Sequence, residues 1–89
     1  MLKTKPAERF QSYLAKVPKD VNLQIGWSFE LSNKLDALMK ERGLTQSQLA
    51  RDMGTSQSEV HKWLCGTHNF TIKTLAKLSA YFEQDFVTI

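Results

Sequence analysis

Gln57, Ser58, His61 and Lys62 fall on one side of a short helical stretch, and Val60, Trp63 and Leu64 fall on the other. At 3.6 residues per turn the second set turns inward and the first is left facing water. These four polar side chains offer hydrogen-bond donors and acceptors without a paired nucleophile and base. The chemistry they suit is recognition. A helix that exposes such a face fits the major groove of B-form DNA, where its first residues meet base edges.

Bond-making chemistry finds no footing elsewhere. The chain has no Ser-His-acid set, no glycine-rich phosphate loop and no two carboxylates on a common face. It is therefore expected not to be an enzyme and to need no cofactor. His61, Cys65 and His68 come nearest to a metal site, because His61 and Cys65 lie one helical turn apart. A structural zinc site takes four ligands and no fourth lies nearby, so no metal is expected. Cys65 sits near a helix C-terminus, the wrong end to favour a thiolate. As the single cysteine it can form no disulfide within the chain, and nothing points to secretion.

The polar face needs elements to hold it. Thr45 is placed to cap a helix running to Met53, with Gln48 where a capping box takes Glu or Gln. Leu49, Ala50 and Met53 give that helix an inward side, and Ala50 is small enough for a close helix crossing. Gly54 permits a tight turn. Ser56 caps the next helix, followed three residues later by Glu59, and Gly66 ends it. Upstream, Gly43 is the C-cap of a helix over residues 19–42. Downstream, Thr71 caps a last helix with Ile72, Leu75, Ala76, Leu78 and Tyr81 as its inward face.

The pattern from Leu44 to Gly66 resembles, without a gap, the phage repressor and Cro type of helix-turn-helix domain, also called the xenobiotic-response-element family. Residues 31–82 share the overall plan. The resemblance implies that Gln46, opening the second helix of the motif, holds a phosphate. It implies that Gln57, Ser58 and Lys62, at recognition-helix positions one, two and six, read bases. Glutamine matches adenine N6 and N7, and lysine matches guanine O6 and N7. Ser56 and the backbone N–H groups near Thr71 would grip phosphate, as helix N-termini do. His61 shares the exposed face and completes the candidate DNA-binding set. Two features depart from the pattern: the loop Thr67-His-Asn-Phe70 lacks the basic residues many relatives carry there, and Glu59 stands inside the recognition helix.

Residues 1–30 lie beyond the minimal domain, and the chain divides at this level into an N-terminal helical extension (1–30) and a DNA-binding domain (31–89). Phe10, Tyr13, Leu14 and Val17 predict a helix over residues 6–16, which Pro18 breaks. Residues 21–31 alternate apolar and polar as a strand would. Yet Leu23, Trp27, Leu31, Leu35 and Leu38 share one helical stripe, and Val21, Ile25 and Phe29 a second, so one long helix is the better reading. Two stripes are more than a reading head can cover. Trp27 is therefore expected in a protein interface, a two-fold dimer contact first, with residues 86–89 as the rival dimer element. Residues 85–89 have strand propensity and suit a short edge strand.

At 89 residues with 42 % hydrophobic composition, one globular all-α domain is expected, a compact helix-turn-helix bundle. The net charge is only +3, and residues 43–89 are neutral. Binding to DNA must then rest on where groups are placed, not on bulk charge. No run reaches the roughly twenty apolar residues of a membrane span, and no signal sequence is evident, so a cytoplasmic protein is expected. The partners that follow are double-stranded DNA and a second copy of the chain. The alternative is an antitoxin whose main partner is a toxin protein, with DNA binding serving autoregulation.

Overall fold

The computed structural model describes residues 17–89, which form four helices in chain order. These are α1 (Lys19–Arg42), α2 (Gln46–Met53), α3 (Gln57–Leu64) and α4 (Ile72–Phe82). The helix expected over residues 6–16 lies outside the described residues. The domain boundary expected after residue 30 falls inside α1, which continues through it without a break.

Pro18 occupies the N-cap of α1, where a missing N–H costs nothing, and its carbonyl accepts from Asn22 N at 3.1 Å. Residues 21–31 are helical despite their alternation. No strand exists among the described residues to pair with them, and an unpaired strand leaves its backbone groups unsatisfied.

Three helices end in the same way. A residue with positive φ follows the last turn, and the next N–H reaches back five residues: Leu44 to Met39 O at 2.9 Å, Thr55 to Ala50 O at 2.9 Å, Gln84 to Ser79 O at 3.1 Å. Gly43 and Gly54 fill that position for α1 and α2, while Glu83 fills it for α4 with φ 54°.

The core gathers Leu35, Leu38 and Met39 of α1, Leu49 and Ala50 of α2, Val60 and Trp63 of α3, and Leu75, Leu78 and Phe82 of α4. Residues 85–89 are not the edge strand expected of them. The chain turns at Glu83 and folds Phe86 back, burying it beside Phe82 with ring centroids 6.1 Å apart. Phe86 N donates to Ser79 Oγ at 3.0 Å, and Lys34 Nζ donates to Asp85 O. A strand needs a neighbouring strand to pair with; this tail has a helix.

The inward face of α4 also differs from expectation. Ile72 is 84 % exposed and Ala76 is exposed, while Phe82 is fully buried. Leu75, Leu78 and Phe82 lie within about 60° of arc at 100° per residue, and Ile72 and Ala76 lie well off it.

Helix α1 is about 36 Å long at 1.5 Å per residue, and it gives the hydrophobic core only Leu35, Leu38 and Met39, all from its second half. Leu23 and Trp27 therefore do not share the burial of Leu35 and Leu38. Val21, Leu23, Ile25, Trp27 and Phe29 are all exposed.

Candidate nucleic-acid interface

Two short helices build the site. Thr45 Oγ1 accepts from Gln48 N at 3.1 Å and Gln48 Oε1 accepts from Thr45 N at 2.9 Å, so both halves of the capping box form. Such a cap contributes about 1 kcal/mol, which matters in a helix of two turns. Gln46 is the first residue of α2 and is half-buried.

Gly54 has φ 70°, a conformation that costs a residue with a Cβ about 1–2 kcal/mol. It lets the chain pass from α2 to α3 through Gly54, Thr55 and Ser56 alone. Ser56 Oγ then accepts from Glu59 N at 3.1 Å and starts α3.

On α3, Val60 and Trp63 are buried in the core, while Gln57, Ser58, His61 and Lys62 are exposed, as the helical period of the sequence requires. Gln57 is also held from outside its own helix, because Ser47 Oγ donates to Gln57 Oε1 at 3.2 Å. An amide oxygen has two lone pairs, so this bond leaves one acceptor site and both amide hydrogens for a base edge. Nothing in the sequence pattern points to Ser47; only the spatial approach of α2 to the head of α3 reveals it.

The far end of α3 is anchored by Ser32 of α1, a second residue that the pattern does not mark. Its buried hydroxyl donates to Trp63 O at 2.6 Å and accepts from Gly66 N at 3.1 Å. One side chain thus satisfies a carbonyl left over at the helix end and the N–H of the turn beyond it. Gly66 has φ 85°, a left-handed conformation that favours glycine, and a Cβ there would stand 3.4 Å from the Phe29 ring, an ordinary contact.

A second tie joins α2 to α4, where Tyr81 Oη donates to Asp52 Oδ2 at 2.6 Å. That bond pushes the Tyr81 phenol above its ordinary range, helped by burial and by the charge of Asp52, with Arg42 pulling the other way.

The N-termini of α3 and α4 present N–H groups of the kind that can meet an anion. Ser56 accepts a cap bond through its oxygen, and its hydrogen remains available to donate. Thr71 Oγ1 accepts from Thr74 N at 3.1 Å and donates to Thr74 Oγ1 at 3.0 Å. At Thr71, then, a phosphate would meet the backbone N–H groups of α4 rather than the hydroxyl.

His68 packs edge-on against Phe70 at 4.9 Å, and Cys65 Sγ donates to His61 O at 3.2 Å. Among the described residues no three His, Cys, Asp or Glu side chains come together as metal ligands. No helix of the described residues is long and apolar enough to cross a membrane.

A family model for the Cro/C1-type helix-turn-helix DNA-binding domain matches residues 34–87. The chain belongs to this family. Comparison with curated proteins and with solved structures gave no match. The Cro/C1-type domain is a DNA-binding unit. The match begins within α1, at the half that carries Leu35, Leu38 and Met39. Ser32, Phe29 and Trp27 lie outside it, on the part of α1 that precedes the matched segment.

Proposed function

We propose that the protein is a cytoplasmic, non-enzymatic transcriptional regulator that binds a two-fold symmetric operator as a homodimer. Each recognition helix lies in a major groove. Gln57, Ser58, His61 and Lys62 meet base edges there. Gln46, Ser56 and the N-terminus of α4 at Thr71 hold the flanking phosphates. The observation that carries this reading is the division of α3 into a core side, Val60 and Trp63, and an exposed polar side that begins at its N-terminus. One such head makes too few contacts for tight specific binding, and a dimer doubles them.

Selection from a pool of random duplexes tests the reading. The best selected duplex should bind far more tightly than the pool, with a modest salt dependence from a handful of phosphate contacts per subunit. Gln57→Ala and Lys62→Ala should each cost about 1–3 kcal/mol on that duplex and relax preference at one base pair. Gln46→Ala should weaken all duplexes about equally. Equal affinity for selected and random DNA at every salt concentration would rule the regulator out.

The exposed apolar side of α1 supports a second reading, in which the chain is an antitoxin that uses this surface on a toxin. Purification from the native cell separates the two. The antitoxin reading requires a second polypeptide in stoichiometric amount, and the regulator reading requires none.

A further inference from the structure

Along one stripe of α1 stand Asp20, Leu23, Gln24, Trp27, Glu30, Leu31 and Lys34. Steps of three and four residues keep all seven on one side of a helix. Asp20, Gln24 and Glu30 are exposed, Lys34 and Leu31 are half-buried, and Leu23 and Trp27 are 46 % and 61 % exposed. The order reads the same in kind from both ends, with a leucine four residues either side of Trp27 and a charge seven residues either side. Two pairs differ across the centre: neutral Gln24 is matched by the carboxylate Glu30, and the terminal charge changes sign.

That symmetry matches a particular partner. When a helix packs antiparallel on a copy of itself about a two-fold axis, residues equally far from the axis on opposite sides meet. With the axis at Trp27, Leu23 meets the second copy's Leu31 and Gln24 meets its Glu30. Asp20 meets its Lys34. Each contact occurs twice. Apolar faces apolar, an amide donor faces a carboxylate, and opposite charges close both ends. A parallel packing would instead set Asp20 against Asp20 and Lys34 against Lys34.

We infer that α1 is the dimerisation element, pairing antiparallel with α1 of a second copy about an axis at Trp27. The inference rests on the homodimer reading above and adds the place and geometry of the contact. The surface beside the stripe extends it. An open groove of about 730 Å³ runs between Trp27 and Leu31 on one wall and Ile72, Phe86 and Val87 on the other. Ile72 and Val87 are 84 % and 48 % exposed. Together with Trp27, itself 61 % exposed, they form an apolar patch on the surface. The second copy's Leu23, placed beside Leu31 by the pairing, enters this groove.

Sedimentation equilibrium of the full chain tests the pairing by charge exchange. Asp20→Lys and Lys34→Glu should each raise the dimer dissociation constant roughly tenfold, because symmetry places every reversed charge twice. The double variant should return it close to the parent value. Trp27→Glu should raise it by about thirtyfold or more, as loss of a central aromatic anchor does. Asp20 lies at the exposed start of α1, so its variant remains informative even if Lys34→Glu disturbs the bond to Asp85. A dimer whose strength ignores Trp27→Glu, or whose charge variants do not rescue one another, overturns the pairing and leaves the homodimer reading standing. A full chain that sediments as a monomer, yet binds its selected duplex one copy at a time, overturns both.

Discussion

Ser32→Ala removes one buried oxygen and withdraws a partner from two backbone groups at once, the Trp63 carbonyl and the Gly66 N–H. Ser32 is 3 % exposed, so water has no easy route to replace the hydroxyl. Each buried group left without a partner costs about 1–3 kcal/mol. Alanine returns about 0.5 kcal/mol through its better helix propensity, and it fits the space that serine filled. The net loss is about 1.5–5.5 kcal/mol. In a domain of this size each kcal/mol moves the midpoint by about 4–8 °C, so the variant should melt at least about 6 °C below the parent. Circular dichroism during heating and urea titration measures the loss. Ser28→Ala, one turn earlier on the same buried face, gauges the cost of removing a hydroxyl as such. Hydrogen exchange localises the effect, because the Gly66 amide should exchange much faster in Ser32→Ala. Were Ser32→Ala to melt with the parent while the Gly66 amide stayed protected, the hydroxyl would not be anchoring α3.

Three further outcomes are expected. Glu83 holds φ 54° at the end of α4, where glycine is under less strain, so Glu83→Gly should raise the melting midpoint by an amount equivalent to about 1 kcal/mol. The Tyr81 phenol binds its proton more tightly folded than unfolded, so its contribution is present below the unfolded pKa and lost as pH rises through the folded one. The parent should lose stability above about pH 10, and Tyr81→Phe should flatten that slope in denaturant titrations at rising pH. Trp63→Ala should remove about 3–5 kcal/mol from a small core and unfold the domain near room temperature; a variant that melts like the parent but loses DNA would make Trp63 a base contact instead.

Features set by near neighbours in the chain are legible in the amino-acid sequence alone. The capping box of Thr45 and Gln48, the turn at Gly54, the cap at Ser56 and the inward Trp63 all depend on residues within one or two turns. Features set by distant contacts are not. Ser32 and Trp63 are 31 positions apart, and a serine on a helix carries no sign of which carbonyl it will meet. Ile72 and Phe82 depart from the pattern in opposite senses, since both are apolar and only the arc occupied by the rest of the bundle decides which is covered. Residues 85–89 have the composition of a strand, and the absence of any described strand to pair with decides their conformation. Among the candidate site residues, the exposure of Gln57, Ser58, His61 and Lys62 follows from period alone, whereas the hold of Ser47 on Gln57 does not.

Helix α1 joins the two halves of the proposed function through a simple offset. Trp27, Leu31 and Lys34 belong to the dimer stripe, and the residues that follow each of them, Ser28, Ser32 and Leu35, are buried against the bundle. Neighbours on a helix differ by about 100°, so the face that meets the second copy and the face that meets the reading head are set about a quarter-turn apart. Ser32 carries that relation directly into α3 through its bonds to Trp63 and Gly66. In the proposed dimer the two-fold axis and the recognition helix are therefore fixed to the same continuous helix. No linker intervenes to let one move without the other. A specific operator needs its two half-sites one helical turn apart, about 34–36 Å or a multiple of it, and a rigid α1 is what holds two recognition helices at a constant separation. In the proposed dimer, the part of α1 that precedes the matched segment is what would turn a DNA-binding head into an operator-reading pair.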